Sequence, residues 1–142
     1  MNTISQLLRG KGNEVWRIAP EASVLDAMKT MAEREVGALM VMEGPEIVGV
    51  ISERDYARQV ILKGRASADT PVRQIMTSRV VYVSPGQTIE ECLALMTDKR
   101  VRHLPVLDGV EVVGVVSIGD LVKAVIAEQK FAIEQLEHYI GR

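Results

Sequence analysis

The sequence predicts a mixed α/β fold made of two β-α-β-β-α units. The first observation is an internal repeat: Val15–Ile61 aligns without a gap with Val80–Ile126, 65 residues further on, and 15 of the 47 aligned positions are identical. The second is size. A chain of 142 residues buries roughly 68% of its surface on folding, whereas one unit of about 50 residues is marginal alone. We therefore expect two units that are related by a pseudo-twofold axis and share one core.

Each unit opens with a short segment rich in β-forming residues. These segments are Val15–Ile18 in the first unit and Val80–Val83 in the second. A proline follows two residues later, at Pro20 and at Pro85, and proline presets the backbone of a turn. The pattern predicts a short strand that ends in a turn.

A helix follows the turn in each unit. Ser23 precedes it in the first unit and Thr88 in the second, and an acid stands three residues later, at Asp26 and at Glu91. A hydroxyl with an acid at this spacing is the capping-box pattern of a helix start. Apolar residues then recur at helical spacing, namely Val24, Ala27, Met28 and Met31 in the first unit and Ile89, Cys92, Leu93 and Met96 in the second.

Two strands come next in each unit, joined by a short connection that contains glycine and therefore indicates a hairpin. The strands are Ala38–Met42 and Ile47–Ile51 in the first unit, and His103–Leu107 and Val112–Val116 in the second. The second strand of each pair is apolar without alternation, which is typical of a strand covered on both faces. A second helix is expected to begin directly afterwards, near Glu53 and near Ile118.

The two units differ after this second helix. In the first unit it is expected to stop near Lys63, where a polar linker rich in Gly and Ser begins, and in the second to continue to about Tyr139. We place the first repeat with its lead-in at residues 1–66, the linker at 67–72, the second repeat at 73–128 and a C-terminal helical extension at 129–142. The extension continues a stripe formed by Val122, Val125, Gln129, Ala132, Leu136 and Tyr139. Such a stripe needs a partner, which is either the chain's own domain or a second copy in a homodimer.

The composition argues against several classes of function. A net charge of −2 and a pI near 5.7 disfavour a nucleic-acid-binding face. Neither a signal peptide nor a run of 18 apolar residues is present, so we expect a cytoplasmic chain without membrane contact. One cysteine, Cys92, and two histidines, His103 and His138, form no zinc-binding pattern, and the sequence has no Walker A loop. We therefore expect that the protein is not an enzyme and has no catalytic cofactor.

The sharpest polar signal recurs where the second strand of each unit meets the second helix. It reads Gly49-Val-Ile-Ser52-Glu-Arg-Asp55 in the first unit and Gly114-Val-Val-Ser117-Ile-Gly-Asp120 in the second. Ser-x-x-Asp is itself a helix cap, so the pattern has a purely structural interpretation. The carboxyl end of a strand at a helix N-terminus is also where phosphates and sugars bind in α/β proteins, and the glycine permits close approach of the backbone. Both interpretations stay open here, because the same side chains can serve both.

This constellation resembles the cystathionine-β-synthase (CBS) domain family over nearly the whole chain. The resemblance rests on the two turn prolines, the strand entries Val36-Gly-Ala-Leu-Met-Val41 and Val101-Arg-His-Leu-Pro-Val106, and the two Ser-x-x-Asp endings in register. It implies a tandem pair of CBS repeats with two clefts between them. Many members of the family bind adenosine-containing ligands in these clefts.

The resemblance also implies two sets of nucleotide-binding residues. The first set comprises Ser117, Asp120, Val115, Arg102, His103, Lys11, Gly12, Asn13, Val36 and Gly37. The second set comprises Ser52, Asp55, Val50, Arg54, Thr77, Ser78 and Arg79. By the same analogy the aspartates hold a ribose, arginine or lysine meets phosphate in a charge-assisted contact, and the valines pack against adenine.

The two sets differ in charge. Glu53 in the first unit repels phosphate, whereas the second unit has the uncharged Ile118 at the matching position. Arg102 in the second unit stands where the first has Gly37. We therefore expect the cleft at Ser117 and Asp120 to be the better nucleotide site.

These expectations describe a stand-alone regulatory module that binds a ligand of the AMP, ADP, ATP or NAD class and acts as an energy or redox sensor in signal transduction. AMP is the first candidate, as a regulatory ligand. The expected partners are a second copy of the chain, in a homodimer, and an unidentified regulated protein. The alternative is a ligand-free structural or protein-interaction module that dimerises through its C-terminal helix.

Overall fold

The computed structural model describes residues 2–141. In chain order its elements are α1 (Ile4–Lys11), β1 (Arg17–Ile18), α2 (Val24–Arg34), β2 (Ala38–Glu43), β3 (Glu46–Ser52), α3 (Glu53–Tyr56) with a π-helical continuation (Ala57–Ile61), α4 (Val72–Ile75), α5 (Ile89–Lys99), β4 (His103–Asp108), β5 (Glu111–Ser117) and α6 (Ile118–Ile140). Helices and strands alternate as the repeat predicts, so the mixed α/β fold class is confirmed. The second helices begin at Glu53 and Ile118, as expected.

The chain folds into two compact units, named here by the serine that each contains. The Ser52 unit comprises Glu14–Val81 with Val110–Val113. Among the described residues, the Ser117 unit comprises 2–13, Tyr82–Gly109 and 114–141. Neither unit is a continuous segment: α1 lies in the Ser117 unit, with most of the second repeat, and α4 lies in the Ser52 unit, with the first.

Backbone hydrogen bonds hold α1 and α4 in equivalent places within their units. Each helix start exchanges hydrogen bonds of 2.8–2.9 Å with the turn and the helix start of a repeat. In the Ser117 unit Ile4 donates to the carbonyl of Gln87 and Ile89 to that of Asn2; in the Ser52 unit Val72 donates to Ala22 and Val24 to Thr70. Since Gln87 is the repeat counterpart of Ala22, the two lead-in helices dock by the same backbone pattern.

The Ser52 unit contains a three-stranded sheet in the order β1-β2-β3. β1 pairs with β2 in parallel and β2 with β3 antiparallel, with a register shift between Val41 and Met42. Gly44, in the loop between β2 and β3, has a φ of 57°, a left-handed conformation that the hairpin prediction requires. One apolar cluster fills this unit, formed by Val24, Ala27, Met31, Leu39, Val41, Ile51, Val60, Val72 and Ile75.

The first predicted strand is shorter than expected in both units. In the Ser52 unit it is reduced to Arg17–Ile18, and in the Ser117 unit to a single parallel bridge between Val83 and Val106. The sequence explains the second case. Met40 donates its N–H to the carbonyl of Trp16 at 3.0 Å, but the repeat counterpart of Met40 is Pro105, which has no N–H to give.

The expectation that β3 and β5 are covered on both faces is wrong. Gly49 and Ile51 are buried, whereas Val50 between them is half-buried, and β5 alternates in the same way around Val115. One face of each strand therefore faces the core of its unit, and the other keeps apolar side chains partly open to solvent.

Helix starts and the lone cysteine follow the sequence closely. Thr88 and Glu91 form the complete capping box, whereas at α2 Ser23 accepts from the Asp26 N–H without a reciprocal bond from the Asp26 side chain. Cys92 in α5 is fully buried. Burial, together with the neighbouring charge of Glu91, raises the pKa of its thiol to about 11, so the prediction that Cys92 is a core residue is confirmed.

The long final helix is confirmed, and it ends at Ile140. Its first turns pack on α5, with Leu121 and Ala124 buried. Every described residue from Ile126 to Gly141 is exposed, so the option that the extension packs back on its own domain is wrong. No helix among residues 2–141 is both long and apolar enough to span a membrane.

Candidate functional site

The Ser117–Asp120 pair joins the end of β5 to the start of α6. Asp120 donates its N–H to Ser117 Oγ at 3.1 Å, and Ser117 donates its N–H to Asp120 Oδ2 at 2.8 Å. This reciprocal pair is a capping box, so the structural interpretation of the motif is correct. The Asp120 side chain keeps 22% of its surface exposed, and its carboxylate therefore caps the helix while still facing solvent.

A lysine from α1 lies directly on this pair. Lys11 Nζ is 3.0 Å from Asp120 Oδ2 and donates to the carbonyl oxygen of Val115 at 2.7 Å. Burial alone raises the pKa of Asp120, but the Ser117 N–H and the Lys11 ammonium outweigh burial and hold that pKa below its ordinary value. Asp120 is therefore an anion at neutral pH, paired with a cation that contacts the end of the same strand.

The Ser52–Asp55 pair has the same cap in the other unit. Asp55 donates its N–H to Ser52 Oγ at 3.2 Å, and Asp55 Oδ2 accepts from the Ser52 N–H at 2.9 Å and from the Ser52 hydroxyl at 3.0 Å. Asp55 is half-buried and Glu53 and Arg54 on the same turn are exposed. Both predicted motifs are thus helix caps with a partly open carboxylate.

The two units differ at the strand edge next to the cap. In the Ser52 unit Val50 exchanges two backbone hydrogen bonds with Thr77, at 2.9 and 3.0 Å. In the Ser117 unit the matching carbonyl, that of Val115, instead receives the side chain of Lys11. Backbone hydrogen bonds therefore occupy the edge of β3 at Val50, whereas a side chain that can rotate away, that of Lys11, occupies the edge of β5 at Val115.

The glycine three residues before the serine in each unit has a packing role. A Cβ at Gly49 would lie 2.6 Å from Met76 Sδ, and a Cβ at Gly114 would lie 2.8 Å from Leu8 Cδ1. The atoms that approach these glycines most closely therefore belong to the side chains of Leu8 in α1 and of Met76 directly after α4. Close approach at the glycines, as the sequence predicts, is thus made by the chain's own side chains.

The remaining predicted site residues fall into two groups by unit. In the Ser117 unit Gly12, Asn13 and Arg102 are exposed and His103 is half-buried, and the Arg102 carbonyl accepts from the Ile118 N–H at 2.9 Å. In the Ser52 unit Thr77, Ser78 and Arg79 are exposed, and the Gly37 carbonyl accepts from the Glu53 N–H at 3.1 Å. Val36 and Gly37 thus belong to the Ser52 unit, and their predicted role at Ser117 stays a prediction.

Leu8 and Met76 are the neighbours that sequence reasoning missed. Thr3–Leu8 matches Pro71–Met76 at a spacing of 68 residues rather than 65, so a search at the repeat spacing passes over the match. The similarity of Gln6-Leu7-Leu8 to Gln74-Ile75-Met76 is the sequence signal that identifies Leu8 and Met76 as equivalent residues.

The arrangement offers the chemistry of a polar ligand site. An anionic carboxylate, a serine hydroxyl and an ammonium group lie together at one strand end, and these groups bind hydroxyls and phosphates. Among residues 2–141, no group of three or more His, Cys, Asp or Glu residues is placed to hold a metal ion.

Comparison with known proteins gives consistent matches. The CBS domain profile matches residues 13–61 and 72–127. The CBS domain-containing protein CBSX3, mitochondrial, of Arabidopsis thaliana is 38% identical over 97% of this chain and 71% of its own length. The solved structure of a putative signal-transduction protein with CBS domains from Burkholderia ambifaria MC40-6 is 50% identical, with a TM-score of 0.86 over 89% of this chain and 96% of that one. A CBS domain protein from Pyrobaculum aerophilum, solved in complex with AMP, is 25% identical, with a TM-score of 0.78 over 89% and 96% of the two chains.

Proposed function

The chain belongs to the CBS domain family, and from this premise we propose that it is a regulatory module that binds an adenine nucleotide, AMP first, beside Ser117 and Asp120. The observation that carries the proposal is the meeting of a carboxylate, a serine and a lysine at the end of β5. The AMP complex of the Pyrobaculum relative supports the choice of ligand class. The module would act as a cytoplasmic energy or redox sensor for a regulated protein, without catalysing a reaction.

Each group at this site has a chemical role in the proposal. The Asp120 carboxylate accepts hydrogen bonds from the ribose hydroxyls on both of its oxygens, since Oδ2, which accepts the cap hydrogen bond, has a second lone pair that Lys11 now occupies. Lys11 supplies a charge-assisted contact to phosphate. The half-buried Val115 offers apolar surface to a planar base.

Calorimetric titration with AMP, ADP, ATP and NAD tests this proposal. We expect Asp120→Ala to weaken binding by at least about tenfold, because a hydrogen bond to a charged group contributes about 1.5–3 kcal/mol. Asp55→Ala is the matched control, since it removes the same cap from the other unit, and we expect a smaller loss. A folded protein that responds to none of the four ligands would sink the proposal, and equal losses in the two variants would refute the site ranking.

A second candidate function, homodimerisation through α6, has its own observation. Exposed residues on this helix recur at heptad spacing, namely Val122, Ile126, Gln129, Ile133, Leu136 and Ile140. The five apolar members are each 43–78% exposed. At about 1.5 Å per residue the stripe is about 27 Å long, and apolar residues at alternating steps of four and three are typical of helix pairing.

The charges beside the stripe favour a second copy of the same helix as the occupant. Lys123 and Glu137 hold the same heptad position two heptads apart. In an antiparallel pair such positions face each other, so Lys123 of each copy would meet Glu137 of the other. The same alignment sets Ile126 against Leu136 and Val122 against Ile140.

Light scattering on two charge variants tests the dimer. Ile133→Lys places a charge in the stripe, and we expect it to yield monomers. Ala127→Lys is the control, because Ala127 is also exposed but lies outside the stripe, and this variant should stay dimeric. Truncation after Glu128 should also yield monomers, and a truncated chain that keeps the mass of the full chain would rule α6 out as the dimer element.

A further inference from the structure

The lysine that closes the Ser117 site contacts the carboxylate that the ribose would use and the backbone carbonyl at the strand end beside it. Its ammonium is 3.0 Å from Asp120 Oδ2 and 2.7 Å from the Val115 carbonyl oxygen. The Lys11 side chain is 35% exposed and approaches from α1, 104 residues away in sequence. A ligand that uses the Asp120 carboxylate must therefore compete with a cation that belongs to the chain itself.

The Ser52 unit shows what a fixed closure looks like. There the matching strand edge is held by two backbone hydrogen bonds between Val50 and Thr77, which cannot open unless the chain moves. The closure at Val115 depends on one side-chain ammonium, and exposed side chains change rotamer within nanoseconds. Only the Ser117 site has a closure that can leave while the fold stays in place.

We propose that Lys11 selects the ligand at Ser117 and Asp120 by charge, withdrawing from these groups for a ligand that carries an anionic group and opposing one that is neutral. This inference rests on the proposed nucleotide binding. A neutral nucleoside displaces the ammonium from Asp120 and gives it no new partner. A nucleoside monophosphate offers the displaced ammonium a phosphate, so the pair that breaks is replaced by another charge-assisted contact.

The test compares AMP with adenosine, two ligands that differ only in the phosphate. Calorimetry gives both dissociation constants for the wild-type chain, for Lys11→Met and for the control Arg9→Met. Met keeps length and apolar contact but removes the charge, and Arg9 is an exposed cation two residues away on the same helix. We expect the preference for AMP over adenosine to fall about tenfold or more in Lys11→Met, to persist in Arg9→Met and to return in Lys11→Arg.

Two further results separate the possible failures. If AMP binds the wild-type chain and the preference changes by less than about twofold in Lys11→Met, this inference is overturned and the proposed function stands. If neither ligand binds wild-type or variant, the proposed function falls and the inference with it. A measurement on the unaltered chain does not depend on the folding of a variant. Raising the salt from about 0.1 M to about 1 M shortens the electrostatic screening length from about 10 Å to about 3 Å, so the preference of the wild-type chain for AMP over adenosine should fall. A preference that does not change with salt would contradict selection by charge.

Discussion

Asp120 caps α6, and in the proposed nucleotide site the same side chain would also bind the ligand. Its carboxylate accepts the Ser117 N–H at the start of α6 and lies 3.0 Å from the Lys11 ammonium. Asp and Glu side chains at a helix N-terminus are favoured by the unsatisfied N–H groups and the helix dipole. The same anion, partly open to solvent, is what a polyhydroxyl ligand requires. A cap alone does not distinguish these uses, and the lysine beside it is what sets this aspartate apart from Asp55.

We expect Asp120→Asn to lower the free energy of unfolding at pH 7 by about 1 kcal/mol, because the amide keeps the shape of the cap but loses its charge. Since folding lowers the pKa of Asp120, the charge stabilises the fold above the unfolded-state pKa of about 3.9, and this contribution is lost as the pH falls through the lower folded-state value. Urea unfolding of the wild-type chain and of Asp120→Asn at pH 7 and at about pH 3 should show that the difference between their free energies of unfolding is smaller in acid. A difference of constant size would contradict the assignment.

At the scale of single elements, the caps and hairpins could be predicted from sequence and the sheet edges could not. A cap depends on residues three positions apart, as at Thr88 and Glu91, so the local pattern contains the answer. The edge of β5 is occupied by Lys11, which is 104 residues away from Val115 in sequence, and no local sequence pattern predicts a contact between residues so far apart. Pro105 is an intermediate case. The sequence shows that this residue has no N–H to donate, but it does not show which strand-to-strand hydrogen bond is lost as a result.

Two glycines at matching positions should differ in their tolerance of a methyl group. At Gly49 a Cβ would lie 2.6 Å from Met76 Sδ and 3.0 Å from the carbonyl oxygen of Thr77, whose backbone is held by two hydrogen bonds with Val50. At Gly114 the three nearest atoms would all belong to the Leu8 side chain, the first two at 2.8 Å. Side-chain ends can shift and this backbone cannot, so we expect Gly49→Ala to cost about 1–3 kcal/mol and Gly114→Ala to cost less.

Urea unfolding at pH 7 measures both costs, and Gly119→Ala supplies the reference. A Cβ at Gly119 lies 3.6 Å from Ser117 Oγ, an ordinary contact, and alanine is the better helix former, by about 1 kcal/mol. We expect this variant to be neutral or slightly more stable. An equal or larger loss at Gly114 than at Gly49 would show that the Leu8 side chain is as rigid as the Thr77 backbone.

At the scale of the whole molecule, the order of the repeats in sequence is not the order of packing. The 65-residue repeat begins at Val15, yet the helix that precedes it, α1, is bonded to the turn and helix start of the second repeat within the Ser117 unit. The segment between the repeats supplies α4 to the first repeat. Sequence periodicity located the repeats but not this exchange, because the lead-ins match at a different spacing and their docking depends on tertiary hydrogen bonds.

Matched core substitutions in the two lead-in helices test this exchange. Leu7 in α1 and Ile75 in α4 are equivalent positions, 4% and 5% exposed, and truncation of such a side chain to alanine costs about 2–5 kcal/mol. We expect Leu7→Ala to speed amide hydrogen exchange in α5 and β4, far along the sequence, more than in α2 and β2. Ile75→Ala should do the reverse, speeding exchange in α2 and β2. Each variant is the control for the other, since a general loss of stability would speed exchange everywhere. If Leu7→Ala acted mainly on the repeat that follows it directly in sequence, the assignment of α1 to the Ser117 unit would be wrong.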